Sequence, residues 1–521
     1  MKHDIVLAIV PRIQDDFGYT PAGAALLKGS LEAAGFSSKI LDFNSSIDAE
    51  FGNSVHQITE LNNFFFYNNF YNLRVWHIVE KLLDDWAKQI ISLDPTWVGI
   101  SVFSYNSNRA TRLLSIKLKL LNPNIKIVIG GGGIATDYTF PETLKEQGII
   151  DAYIRGEGEL ALVELLRGNI HYPGINGLSP EQIKNLDDIP YPNYDDYDLK
   201  TYTNKKGLEA LPITGSRGCV RKCTFCDIAS QWPKYYYRSG QSIADEIVYQ
   251  TQKYGVTAFR FTDSLINGSL KAFRDMIFTL SAYRETLPTE KKFTWDTHFI
   301  VRSPNQMPPE HFDVMKSAGA GTMLIGLESG SEQVRNHMKK GFSQQDLDYT
   351  MQQLDRVGIR CRMLMIIGYP TETDQDFQET LDMFDRYLPY LKNGIIEEVN
   401  LGLTLNLLRN TPLTDNLDKY NLVQHDSHIN NWICKDNPTL DYKKRLQRRI
   451  KVQAHCEKLG YKVFEAKNYT KQLFNSWQEV QKLTEIQPKI IKNFSFDREK
   501  GGLIETPDTN SNTIMWAPQQ K

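Results

Sequence analysis

Apolar and polar positions along the chain fall into two alternating series of strands and helices. The first series opens with "DIVLAIV", a short apolar run from Ile5 to Val10 that predicts a central parallel strand. "PAGAALLKGSLEAAGF" follows with helical spacing, and Gly35 stands where a helix stops. "SSKILDF" predicts the next strand. The aromatic-rich "FFFYNNFYNLRVW" then leads into a helix reaching Gln89, and its simplest reading is a buried insertion. "WVGISVFS", "IKIVIGGGG" and "DAYIRGEGE" read as three more strands, with a helix over Arg109 to Leu121 between the first two. Strand–helix alternation of this kind predicts a doubly wound parallel sheet over residues 1–168.

Residues 169–210, including "NLDDIPYPNYDDYDLKTYTN", have no sustained period and predict a linker packed on the surface. Alternation resumes at "LPITGSRGC". The helix in "SIADEIVYQTQKY" is expected to have Ser242 as N-cap and Gly255 just past its end. Strands in "AFRFTD", "FTWDTHFIV", "TMLIGLE", "RCRMLMIIG" and "IEEVNLGLTLN" are separated by helical segments. Six such units over 211–410 predict a partial (β/α)6 barrel with its chemistry at the strand C-terminal ends. Residues 411–505 read as a mostly helical, polar extension, and 506–521 as a loose tail. The basic run "KKRLQRRIK", Lys443 to Lys451, is expected to be a solvated helix face.

Composition narrows the class. The chain has 521 residues, 41% hydrophobic and 23% charged, with formal net charge -2. This balance exerts no general attraction for nucleic acid or an anionic membrane, so no nucleic-acid partner is expected. No apolar run approaches the roughly 18 residues of a membrane span. A cytoplasmic location is expected, where cysteines serve as metal ligands, catalytic groups or core thiols rather than disulfides.

Three of the six cysteines crowd into "GCVRKCTFC": Cys219, Cys223 and Cys226. Cys361, Cys434 and Cys456 are dispersed, with no motif around them. The C-x3-C-x2-C spacing, on a glycine-flanked loop after a strand, allows three thiolates to close on one metal group. A structural zinc site normally takes four protein ligands, and no fourth Cys or His lies nearby. Zinc completed by a distant residue and coincidental surface thiols remain as alternatives. A 4Fe-4S cluster held by three cysteines leaves one iron open for an exogenous ligand.

With these residues in view, "CVRKCTFC" at the start of a predicted partial barrel resembles the radical S-adenosylmethionine (radical SAM) superfamily, and Phe225 before the last cysteine fits the resemblance. The resemblance implies that Cys219, Cys223 and Cys226 hold the cluster and that SAM chelates the open iron. It also implies an electron donor such as flavodoxin or ferredoxin. By the same resemblance, Asp263 and Ser264 of "FRFTDS" stand where the SAM amino group is received. Glu328 and Ser329 of "IGLESGSEQV" stand within reach of SAM, Arg302 near its carboxylate, and Gly368 of "IIGYPTET" near its adenine. Thr371 departs from the glycine common there. Ser329 or Ser331 has an alternative reading as a helix cap.

The glycine-rich strand ends of the first domain make no P-loop, because no Gly-Lys-Ser/Thr follows. Tight sheet–helix packing is their ordinary reading. Ahead of such a barrel, "GISVFS", "IGGGG" and "DAYIRGEGE" resemble the cobalamin-binding domain of cobalamin-dependent radical SAM enzymes. That resemblance places cobalamin near Ser101, Ser104, Gly131, Gly132, Gly156 and Glu157. "DTHFIV" and "HDSHINN" contain D-x-H without the glycine of the cobalt-ligating motif, so the resemblance implies cobalamin without a protein histidine on cobalt. Asp296 and His298 are then expected to line the strand and the active site. "YYYR", Tyr235 to Arg238, is open between lining a substrate cavity and packing the cysteine loop.

The function expected from these features is methyl transfer to an unactivated carbon or phosphorus of a small-molecule or peptide substrate. The alternatives are a radical cyclisation or rearrangement without methyl transfer, and a non-enzymatic iron–sulfur redox or ligand-sensing module.

Overall fold

The structure, a computed structural model, describes residues 2–11, 20–51, 54–66, 73–135, 139–202, 209–402, 404–424, 431–464, 494–497 and 502–505. The expected tail and the D-x-H of "HDSHINN" lie outside the described residues. Among the described residues no helix is long and apolar enough to cross a membrane.

The first domain is built on five parallel strands: β1 (Ile5–Ile9), β2 (Ser38–Asp42), β3 (Trp97–Ser101), β4 (Lys126–Gly130) and β5 (Ala152–Ile154). Their order is β2-β1-β3-β4-β5, a doubly wound arrangement whose ligand edge lies at the strand C-terminal ends. Every residue of β1 is buried, because helices cover both faces of the sheet. The pleat divides β1 between two cores: Val6, Ala8 and Val10 face one, while Ile5, Leu7 and Ile9 face the other. The first of these cores takes in the aromatic insertion, with Phe64 and Phe65 buried on a helix over Val55–Phe66.

The second domain is a six-stranded parallel sheet in sequential order: β6 (Ala210–Ile213), β7 (Ala258–Phe261), β8 (Thr294–Phe299), β9 (Ala320–Glu328), β10 (Arg360–Met365) and β11 (Ile396–Asn400). This is the expected partial barrel. Its helix over Gly240–Tyr254 is capped by Ser239 rather than Ser242: the Ser239 hydroxyl accepts from the Ser242 amide. Gly255 closes it in the left-handed conformation, as expected.

Residues 169–202 are not the surface linker that their composition predicts. Tyr194, Tyr197 and Tyr202 are buried in the core shared by β1, β6 and the barrel. The Tyr194 hydroxyl donates to the Pro212 carbonyl of β6, and the Asn193 amide donates to the Ala25 carbonyl of the first domain. Asp196 accepts from Lys28 Nζ at 2.8 Å, from Lys39 Nζ at 2.6 Å and from the Ile40 amide at 2.8 Å. A Cβ on Gly29 would sit 2.1 Å from the Tyr191 carbonyl oxygen, so glycine lets this segment press onto the first helix. Polar residues went inside here because each found a partner on the domain it meets.

The basic run is likewise not a solvated face. Arg445, Arg448 and Arg449 are buried on the helix Tyr442–Leu459. Arg445 lies over the Trp432 ring at 3.7 Å, and Arg448 reaches Glu372 at 2.6 Å and Asp374 at 2.8 Å. The Arg448 pairs fasten the extension to the end of the barrel. The extension also carries two short antiparallel pairs, Leu422–Gln424 with Trp432–Cys434 and Phe494–Asp497 with Gly502–Glu505.

Asp196→Ala leaves the buried Lys28 with only one acidic partner, the partly exposed Glu32 on its own helix, and is expected to destabilise the chain by about 1–3 kcal/mol. Urea denaturation followed by circular dichroism measures this, and the double variant Lys28→Met/Asp196→Ala is expected to recover part of the loss.

Candidate functional site

The cysteine loop begins where β6 ends. Ser216 and Arg217 pair antiparallel with Tyr236 and Tyr237, and the loop between these arms carries all three thiols. Gly218 turns the chain at φ +84°, where a Cβ would meet the Lys234 carbonyl oxygen at 2.5 Å. The floor of the loop is tied to the barrel. The Thr224 amide donates to the Met338 carbonyl at 3.1 Å, and the Leu413 amide donates to the Thr224 carbonyl at 3.0 Å. The hydroxyls of Thr224 and Tyr369 are 2.8 Å apart in the interior, and Tyr369 also donates to the His337 carbonyl. Phe225 packs on the third apolar core, around Trp432.

Burial pushes all three thiols above their ordinary pKa, and each lies within electrostatic reach of another: Cys219 of Cys226, Cys226 of Cys223, and Cys223 of Cys219. Among the described residues no three His, Cys, Asp or Glu side chains converge closely enough to hold a lone metal ion. Three thiols on one short loop, each within electrostatic reach of another, can serve a 4Fe-4S cluster, which takes three cysteines and leaves one iron for an outside ligand.

Around the loop stand polar groups that the protein itself does not satisfy. Asp263, at the end of β7, is fully buried; one carboxylate oxygen accepts from the Gly215 amide at 2.9 Å and the other has no partner. Arg302 gives its Nη2 to the carbonyls of Asn267 and Gly268, but its buried Nε is unpaired, as is that of Arg221. Arg302 lies within electrostatic reach of Cys219 and Arg221; burial first, then Arg221, lowers its pKa. Glu328 sits at a β-bulge with φ +66°, a conformation unusual for a residue other than glycine. Its carboxylate holds Lys340 at 2.9 Å, and the Lys340 ammonium lies 5.9 Å from the Phe225 ring centre. Burial works against the Lys340 charge, but Glu328 and Cys223 beside it more than offset this and raise its pKa. Lys340 escaped the sequence reading because it lies twelve residues beyond Glu328, outside any motif; strand and helix bring it back over the thiols. These groups fit the amino-acid part of SAM, which carries an ammonium and a carboxylate: an unpaired carboxylate oxygen for the first, and two guanidinium N–H groups and a lysine for the second.

Other expected contacts are differently placed. Ser329 is buried with its hydroxyl 3.5 Å from that of Thr380, and it accepts from the Ser331 amide. Ser331 caps the helix Glu332–His337. Gly368 faces the extension, where a Cβ would meet Arg445 Cγ at 2.5 Å. Ser264 is half-buried beside Asp263. His298 lies on β8, its Nδ1 3.1 Å from the Asp263 carbonyl oxygen, which requires the Nδ1–H form; burial lowers its pKa. "YYYR" packs the loop: Gly268 makes room for the Tyr235 ring, and Arg238 is paired with Glu246.

On the first domain, Ser101 ends β3 and Gly131 and Gly132 follow β4, both glycines exposed. Phe103 and Tyr105 beside them are 47% and 72% exposed, an apolar surface with no need to face water. The Ser104 hydroxyl is buried without a partner. A Cβ on Gly133 would meet the Ser104 carbonyl at 2.6 Å, so the glycines also pack the adjacent loop tightly. An apolar shelf with bare backbone and a spare hydroxyl fits a large, partly apolar cofactor such as cobalamin. Gly156 and Glu157 have other partners: Gly156 makes room for Pro180, and the Glu157 carboxylate binds Arg217 and the Ile183 amide.

A partial barrel with a three-thiol loop, docked to a doubly wound domain with a bare glycine edge, is the architecture of a two-cofactor protein. Comparisons agree. Residues 213–384 match the Radical SAM superfamily and residues 70–166 match the B12 binding domain. The chain therefore carries a radical SAM domain and a B12-binding domain together. It is 28% identical over 313 residues to an uncharacterized methyltransferase of Pyrococcus horikoshii, covering 57% of this chain and 65% of that one. It is 24% identical over 292 residues to the anaerobic magnesium-protoporphyrin IX monomethyl ester cyclase of Synechocystis, covering 53% and 56%. The chain thus spans less than two thirds of the length of each of these curated relatives. Among solved structures, the radical S-adenosylmethionine methyltransferase TsrM of Kitasatospora setae, with cobalamin and a [4Fe-4S] cluster bound, superposes with a TM-score of 0.58 at 16% identity, over 82% of this chain and 78% of that one.

Burial pushes the Asp263 carboxyl up to about 7, against the hydrogen bond from the Gly215 amide. The unfolded chain releases this proton near 3.8, so between the two values it holds fewer protons than the folded chain. Stability is therefore expected to fall by roughly 1.4 kcal/mol per pH unit across that window from this group alone, and to level off above it. Asp263→Asn should remove this slope; urea titrations of both proteins at about pH 5 and about pH 8 measure it.

Proposed function

We propose that this protein cleaves SAM reductively at a 4Fe-4S cluster held by Cys219, Cys223 and Cys226, and that with cobalamin on its first domain it methylates an unactivated carbon or phosphorus of a small molecule or peptide. The observation that carries the reading is the contact between the two cofactor-binding regions: Arg217, two residues before Cys219, is bonded to Glu157, three residues beyond the end of β5. When bound, the cluster supplies a low-potential electron to SAM and cobalamin supplies a methyl carrier, chemistry that protein side chains lack.

The chain's own residues bind and orient. Lys340, Arg302 and Arg221 would hold the SAM carboxylate, and Asp263 would accept from its ammonium. Glu328 keeps Lys340 charged and aimed. Phe225 and the core around Trp432 keep water from the thiol side of the loop. Ser101, Ser104, Gly131 and Gly132 would lie against cobalamin. A reduced electron carrier such as flavodoxin or ferredoxin would supply electrons. Radical cyclisation without methyl transfer is a second reading, favoured by the cyclase relative.

Anaerobic purification with added hydroxocobalamin is expected to retain both an iron–sulfur and a corrinoid absorption spectrum. Cys223→Ala should lose the iron and SAM cleavage while keeping the corrinoid; retention of both cluster and cleavage would defeat the proposal. Lys340→Met should keep its iron yet bind SAM at least about tenfold more weakly, since it leaves Glu328 buried and unpaired. Mass spectrometry of products made with deuteromethyl SAM separates the two readings: a labelled methyl in the product supports transfer, and deoxyadenosine without it supports cyclisation.

A further inference from the structure

The Arg217 contact does more than join two domains. Its guanidinium is 9% exposed and lies between two carboxylates of the first domain, with Nη1 2.5 Å from Glu157 Oε1 and Nη2 on Glu159 Oε1. Those carboxylates are 5% and 8% exposed. The second oxygen of Glu157 accepts from the Ile183 amide, so the acid is held from both sides.

Three features separate this contact from general domain adhesion, which the shared apolar core already provides. The clasp grips the outgoing arm of the thiol loop, not the body of the barrel. The return arm is gripped from the same side: the Gln182 side-chain amide bonds both the carbonyl and the amide of Lys234, at 3.0 and 2.8 Å, and Asp187 accepts from the Ser239 amide at 2.9 Å. And the acids lie on the chain leaving β5, whose strand pairs directly with β4, the strand that ends in the exposed glycines. A guanidinium bound by two carboxylates fixes angle as well as distance, which a lysine ammonium does not.

We infer that the Glu157–Arg217–Glu159 clasp sets the separation and orientation of the thiol loop relative to the cofactor edge of the first domain, with Arg217 as its positioning residue. The inference rests on the two-cofactor reading above. Group transfer between two bound centres depends steeply on their geometry, and a displacement of about 1 Å can cost on the order of a hundredfold in rate. With the outgoing arm held by the clasp and the return arm by Gln182 and Asp187, that displacement is restrained.

The test uses the full chain with reconstituted cluster and added hydroxocobalamin, both reduced to their paramagnetic states. Pulsed electron paramagnetic resonance then reads the cluster–cobalt distance from their spin coupling. The native chain is expected to give one narrow distance. E159Q should give a broadened or shifted distribution and R217K an intermediate one, while iron content, corrinoid content and melting temperature match the native chain. E164Q, on a partly buried acid of the helix Gly158–Leu166 that also carries Glu159, should leave the distance unchanged. In the chain without cofactors, hydrogen exchange over residues 214–226 should rise at least about tenfold in E159Q, with residues 320–328 unaffected. An unchanged distance in both clasp variants would overturn the inference and leave the two-cofactor reading standing. So would parallel loss of fold and of both cofactors, which marks a purely structural ion pair. A native chain that takes up no corrinoid would overturn the two-cofactor reading and the inference with it.

Discussion

Buried charge can persist only where it is matched, and the junction between the two domains is organised by that constraint. Lys28 of the first helix meets Asp196 of the joining segment, and Arg217 of the thiol loop meets Glu157 and Glu159 of the first domain, while Arg238 meets Glu246 within the barrel. The first two sets each join elements that an unmatched rearrangement would separate. The apolar core running from β1 through Tyr194 to β6 supplies cohesion without direction; the ion pairs supply the direction.

This frame explains how a loop with little regular structure holds three thiols in place. Its two arms are anchored to the first domain and the joining segment, and its floor to Met338, Tyr369 and Leu413. Unmatched polar atoms remain beside it, on Asp263, Arg221 and Arg302, as they do on buried arginines elsewhere such as Arg335 and Arg448. What distinguishes Arg221 and Arg302 is that both lie within electrostatic reach of Cys219, where a charged ligand would complete the set. The left-handed backbone at Glu328 belongs to the same region, where a bulge aims an acid at Lys340 instead of continuing the ladder.

The expectations that held were those carried by local repetition. Strand–helix alternation, the parallel sheet, the six barrel units and the left-handed stops at Gly35 and Gly255 are written in neighbouring residues. Those that changed concern burial of polar residues. The tyrosine- and aspartate-rich segment 169–210 and the basic run after Asp441 both read as solvated, because composition measures average polarity and not partners. Tyr194 lies inside because Pro212 offers its hydroxyl a carbonyl, and Arg448 because Glu372 awaits it.

At the site, spacing alone singled out Cys219, Cys223 and Cys226, since three ligands on one short loop need no help from the rest of the chain to be neighbours. Asp263, Arg302 and Glu328 were legible as strand-end residues, because a parallel barrel brings the C-terminal ends of its strands together whatever the connecting helices contain. Lys340, the Tyr369–Thr224 contact and the true partners of Gly156, Glu157, Ser329 and Gly368 were decided by tertiary structure. Apart from the local bond between Ser329 and Ser331, these join residues from twelve to about 145 positions apart in sequence, and a contact at that separation depends on how whole elements pack, which no local pattern encodes.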